Sequence, residues 1–160
     1  MQDFEESNFD FALCVFTVLL YLLDEESLKK AIWAAHSALK LNGLLLIDIP
    51  SKMIFQNYSR KNDLIERFVS VIAENGNIYR YQEKLKVRGT SGDESIYSDE
   101  FKIRYWLSEY VSKILATTGF VLEDDLSNDF SGTGSHYWIM KKAEQGAALD
   151  GNSTTLHCHR

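Results

Sequence analysis

A chain of 160 residues and 18.4 kDa, 45% hydrophobic and 25% charged, has the size and composition of one ordinary globular domain. Its 17 Lys and Arg against 23 Asp and Glu leave a formal charge of -6, so no basic footprint for duplex nucleic acid is visible. The longest apolar run, residues 11–23, is interrupted by Thr17 and Tyr21 and is too short for a bilayer, while the acidic start is neither a secretory signal nor a transit peptide. The expected partners are therefore small molecules or proteins, with neither nucleic acid nor membrane among them. Cys14 lies inside the apolar run and Cys158 near the C-terminus, which suggests no disulfide framework and fits a reducing cytoplasm.

Residues 9–23 are nearly continuous in apolar, β-branched and aromatic side chains, the pattern of a strand buried on both faces. We place that strand at residues 11–17. Asp24 is a good N-cap, with Glu25 and Glu26 in the favourable first turn. Leu28, Ile32, Ala35 and Leu39 then recur at helical spacing, and Asn42-Gly43 is the expected stop. A second apolar run, residues 44–49, closes at Pro50. Strand, helix and strand make a parallel pair with a right-handed crossover.

Residues 51–66 are mixed and read as a short helix and loop. Alternating segments then flank Glu74-Asn75-Gly76-Asn77, a hairpin signal, and residues 97–106 alternate again. A small antiparallel sheet is thus inserted between parallel elements. Ser108 is the expected cap of a second helix that carries Val111, Ile114 and Leu115 and stops at Gly119. A short strand at residues 120–122, a polar loop over 124–135 and a last strand at 137–140 follow. From about Ala143 the composition turns polar and aperiodic, which reads as a poorly ordered tail over 143–160.

Several of these pieces, in this order, resemble the second half of a class I S-adenosylmethionine-dependent methyltransferase. The residues that carry the resemblance are Phe9-Asp10-Phe11 entering a strand, Val18-Leu19-Leu20-Tyr21-Leu22, and a helix end at Leu39-Lys40-Leu41-Asn42-Gly43-Leu44. Ile47-Asp48-Ile49, Arg104-Tyr105-Trp106, Gly119-Phe120 and Tyr137-Trp138-Ile139 complete it. The resemblance covers residues 1–142. It implies an α/β fold: a partial Rossmann-like sheet of parallel strands plus an antiparallel C-terminal strand, with an inserted antiparallel lid over about 51–106. The family's glycine-rich cofactor turn and the acidic end of its second strand have no counterpart here. The resemblance therefore implies a truncated domain that begins inside the fold, inactive alone, through a shortened gene or a start assigned at an internal codon.

By the same resemblance, Met1 and Gln2 lie beside the adenine of S-adenosylmethionine, and Phe16 and Leu20 flank the cofactor. The competing reading makes Phe16 and Leu20 core residues of a buried strand and the turn after it. Ligands in such sheets sit beyond the carboxyl ends of the strands, where Asp48 ends a buried run. A carboxylate there either binds substrate or accepts a proton, or is held by nearby backbone N–H groups. The lid offers Tyr79, Tyr81, Tyr97, Arg104, Tyr105 and Trp106 as an acceptor wall, with Arg104 suited to an anionic acceptor. The competing reading is aromatic alternation on a half-buried sheet, with Arg104 in a surface ion pair. His36 reads as a packed helix residue, and His136 as a weaker site candidate. His157-Cys158-His159 lacks the separated ligand pairs of a metal site, so no metal is expected.

Three functions remain open from the sequence. The first is a small-molecule methyltransferase domain without its cofactor half. The second is a non-enzymatic ligand- or protein-binding module that self-associates through an exposed edge strand, giving a dimer. The third is a fragment without a selected role.

Overall fold

A computed structural model describes residues 7–89 and 92–144. Met1, Gln2, the His157-Cys158-His159 tract and nearly all of the expected tail lie outside the described residues.

Two four-stranded sheets organise the described residues. The first has strand order β1-β2-β8-β7, built from β1 (Phe9–Cys14), β2 (Leu39–Pro50), β7 (Phe120–Asp125) and β8 (Ser135–Lys142). β1 and β2 are parallel, and β8 runs antiparallel to both β2 and β7. The second sheet, the lid, has order β3-β4-β5-β6 and is wholly antiparallel: β3 (Tyr58–Lys61), β4 (Ile65–Asn75), β5 (Ile78–Arg88) and β6 (Glu94–Arg104). The expected hairpin is present, with Gly76 at φ 58 in its two-residue turn.

Helices α1 (Glu25–Ala38) and α2 (Ser108–Thr118) cover one face of the first sheet. Leu28 and Ile32 from α1 meet Val111, Ile114 and Leu115 from α2 in one core with Leu45, Ile47 and Ile49 of β2. The alternate β2 residues Leu44, Leu46 and Asp48 point to the opposite face. Each fully buried aliphatic side chain in that core contributes about 1.5–3 kcal/mol.

Several boundaries differ from the sequence reading, each for a local reason. β1 ends at Cys14 because Phe16 and Thr17 turn into the left-handed region, at φ 66 and 61. α1 ends at Ala38: Leu39 is already extended, and the Lys142 ammonium donates to the carbonyls of His36 and Leu39, taking the role expected of a C-cap turn. Gly43 is needed for close approach, since a Cβ would stand 2.8 Å from the Lys40 carbonyl oxygen and 3.1 Å from that of Phe9. Asp24 does cap α1, accepting from Ser27 N–H at 2.7 Å. Ser108 does not cap α2; it is the first helical residue, and its hydroxyl donates to Glu109. Of the short helix and loop expected over residues 51–66, a 3₁₀ helix is present at Lys52–Ile54, while β3 and the start of β4 take up part of the expected loop.

A candidate functional site where the lid meets the strand ends

The segments that leave the carboxyl ends of β1 and β2 both reach the lid. After β1, residues 15–17 lead into a 3₁₀ turn at Val18–Tyr21, and Tyr21 packs on Phe101 of β6 with ring centroids 5.5 Å apart. After β2, the turn at Lys52–Ile54 delivers Phe55 against Tyr79 at 4.8 Å and Tyr105 at 5.4 Å. Tyr81 stacks on Phe101 at 4.8 Å, and the Lys52 ammonium lies 5.6 Å from the Tyr105 ring. Side chains of a strand alternate between its faces, so Tyr79, Tyr81, Phe101 and Tyr105 share one face of the lid. That face is an aromatic wall over the strand ends.

Farther along the same face, Arg67 forms a bidentate pair with Glu83, at 2.6 and 3.0 Å. The same guanidinium donates to the Tyr81 hydroxyl at 3.2 Å and lies 5.5 Å from the Tyr58 ring. Burial, and then a hydrogen bond with Tyr58, hold the Tyr81 phenol well above its ordinary range. Arg67 is thus already neutralised and fixed.

Beneath the β1 turn, Asp48 is 1% exposed, and both of its carboxylate oxygens accept from Thr17 N–H at 3.1 Å. Burial raises its carboxyl above the ordinary value, opposed by the Thr17 bond and one with the Ser135 side chain. The thiol of Cys14, a half-buried residue near it, is pushed up to about 11 by burial and then by the Asp48 charge. Such a thiol is protonated at neutral pH and a poor nucleophile.

Of the sequence candidates, Tyr79 and Tyr105 stand in the aromatic wall, as does Tyr81. Arg104 and Trp106 do not join it, because they sit one residue out of phase with Tyr105. Arg104 stacks on the Trp106 ring at 3.9 Å and donates to the Leu23 carbonyl at 2.9 Å, in place of a surface ion pair. Trp106 is 4% exposed, and its indole N–H donates to the carbonyls of Leu19 and Leu22. Leu20 is buried, 5% exposed, in the 3₁₀ turn that packs on β6. Phe16 is 88% exposed, at the tip of the turn after β1. Tyr97 is exposed, and His136 is an exposed residue of β8. His36 packs edge-on against Phe120. Among the described residues no His, Cys, Asp and Glu group is placed to hold a metal.

The sequence reading missed Phe55, Tyr21, Tyr58 and the Arg67–Glu83 pair. The odd-numbered alternation of Arg67, Tyr81 and Glu83 was a usable signal for the pair. Phe55 lies in a segment without periodicity, so nothing marked it.

No protein-family model matches the chain, and no curated protein matches it at a significant level. Solved structures do. An S-adenosylmethionine-dependent methyltransferase from Clostridium acetobutylicum superimposes with a TM-score of 0.74 at 19% identity, covering 86% of this chain and 59% of that one. Streptomyces venezuelae DesVI gives 0.73 at 17% identity, covering 89% and 62%. A sugar N-methyltransferase from Streptoalloteichus gives 0.67 at 19% identity, covering 89% and 60%. The chain thus spans about 60% of the length of the solved structures it matches.

The name of the Clostridium acetobutylicum enzyme specifies S-adenosylmethionine as its cofactor. Phe16 offers a free ring. Both Asp48 oxygens are taken by Thr17, and Leu20 is buried. The described glycines with positive φ are Gly76, Gly92, Gly119, Gly132 and Gly134, and none follows a parallel strand. The described residues alone do not fit a whole S-adenosylmethionine. What the similarity establishes is architecture: a mixed α/β, methyltransferase-like Rossmann fold with an antiparallel lid.

Proposed function

We propose that this chain carries the acceptor-facing part of a methyltransferase that takes its methyl group from S-adenosylmethionine and acts on a small molecule. The observation that carries the reading is the aromatic wall of Tyr79, Tyr81, Phe101 and Tyr105, held over the carboxyl ends of β1 and β2 by Tyr21 and Phe55. Ligands of open α/β sheets bind at that end. An apolar wall above it excludes water and orients an acceptor, which is how proximity contributes to transfer. Support also comes from relatives whose names specify small acceptors, such as the sugar N-methyltransferase.

The same reading makes cofactor affinity weak for these 160 residues, since the described ones supply one free ring and no glycine cradle. Calorimetric titration of the chain with S-adenosylhomocysteine tests this. We expect no saturation below millimolar ligand; a micromolar Kd overturns the assignment to the acceptor side.

A second reading, a binding module that self-associates, is favoured by β1. It is the edge of the first sheet, and its Phe11 and Leu13 are 48% and 62% exposed on the face opposite the helices. Parallel strands are ordinarily covered on both faces, and an apolar edge is a template for pairing. Sedimentation velocity across a concentration series tests it, with a monomer at all concentrations as the contrary result.

A further inference from the structure

The Phe16–Thr17 turn is an unusual piece of backbone. Two successive residues with side chains take left-handed conformations, at φ 66 and 61. L residues avoid that region because Cβ crowds the next carbonyl oxygen. Such strain persists only where the surroundings over-determine it. What holds it is visible in the register of β1 on β2. The parallel ladder pairs Leu13 with Leu46 and Cys14 with Ile47, and there it ends. The next residue of β2 is Asp48. Its side chain continues the ladder where the β1 backbone has turned away, receiving Thr17 N–H on both oxygens at 3.1 Å. Thr17 adds a local bond, its hydroxyl donating to the Phe16 carbonyl at 2.7 Å. The consequence is that Phe16, 88% exposed, is presented at the carboxyl end of β1.

We infer that Asp48 is a positioning residue: its carboxylate latches the strained Phe16–Thr17 turn and thereby aims the Phe16 ring into the ligand-binding end of the sheet. Both Asp48 oxygens are engaged by Thr17 N–H, so its role is exerted through the turn. Its use in ligand binding rests on the methyl-transfer reading; the latch does not.

The experiment compares the wild-type chain with Asp48→Asn and Asp48→Ala by NMR, without ligand. Three-bond couplings report φ at Phe16 and Thr17, and hydrogen exchange reports the Thr17 amide. Asp48→Asn keeps an oxygen acceptor, so positive φ and slow exchange persist. In Asp48→Ala both residues move to negative φ, and Thr17 exchange accelerates about tenfold, the weight of one hydrogen bond, while the amides of β2 and β8 stay protected. A merely space-filling Asp48 would lower protection across the whole sheet and leave the couplings where they are. Unchanged couplings and unchanged Thr17 exchange in a folded Asp48→Ala protein overturn the latch. Should Asp48→Ala fail to fold, Asp48→Ala combined with Thr17→Gly restores folding, because glycine adopts positive φ without a latch. Failure of that double variant also overturns it. No ligand enters these measurements, so a failure of the methyl-transfer reading leaves their outcome intact.

Discussion

The Arg104 guanidinium lies 3.9 Å from the centre of the Trp106 ring, and Trp106 in turn stacks on Tyr110 at 5.9 Å. This column ties the base of the lid to both helices. Arg104 donates to Leu23, the indole N–H reaches Leu19 and Leu22, and the Tyr110 hydroxyl donates to Glu25 in the first turn of α1 at 2.6 Å. The aromatic wall is therefore mounted on a rigid stem.

Removing the indole N–H tests that stem. Trp106→Phe keeps a ring but takes the indole donor from the Leu19 and Leu22 carbonyls, of which Leu19 keeps only the Leu22 N–H. We expect a loss of about 1–3 kcal/mol in urea unfolding. A change within the error of unfolding curves would show that the lid is anchored elsewhere.

Gly119, after α2, sits at φ 104, and a Cβ there would stand 2.9 Å from His36 Nε2. Gly119→Ala combines the cost of a left-handed alanine with displacement of a packed ring. Its expected destabilisation is about 2 kcal/mol, read by thermal or chemical denaturation.

His36 gives a pH dependence whose sign is fixed. Burial first, and the Lys142 charge second, push its imidazole below the ordinary 6.5, and its Nε2 has no hydrogen-bond partner among the described residues. Lys142, Phe120 and Gly119 are the groups around it. The unfolded chain therefore binds this proton more readily than the folded one. Stability contributed by His36 is complete above pH 6.5 and is lost as pH falls through that value toward the folded pKa. The urea midpoint should decline over this interval in the wild type and decline less in His36→Gln.

Self-association through β1 predicts a specific rescue. A charge at Leu13, 62% exposed on the edge strand, opposes pairing without touching the helix-covered core. Leu13→Lys should sediment as a monomer at concentrations where the wild type does not. Identical sedimentation of the two would remove β1 as the contact.

The sequence was most legible where one physical signal acted alone. Asp24 with Glu25 and Glu26 marked the start of α1, and Asn75-Gly76 marked the hairpin. It misled where a distant residue overrode a local rule. Asn42-Gly43 looks like a helix stop, yet Lys142, far along the chain, closes α1 earlier and Gly43 serves strand packing instead. For the site, Tyr79, Tyr105 and Asp48 could be named from alternation and from their place at strand ends. Arg104 and Trp106 were grouped with Tyr105 because adjacency in sequence hides the period of two. Phe16 and Thr17 looked like strand residues because composition carries no sign of a positive φ.

On the proposed reading these residues form the acceptor-facing part of a methyltransferase, and S-adenosylmethionine meets them at the strand ends, around the turn after β1. An amide NMR titration of the 160-residue chain with S-adenosylhomocysteine tests it residue by residue. We expect small shifts, unsaturated below millimolar ligand and confined to residues 14–21 and 48–51. Saturation at micromolar ligand, or shifts centred on the lid away from the strand ends, would contradict it.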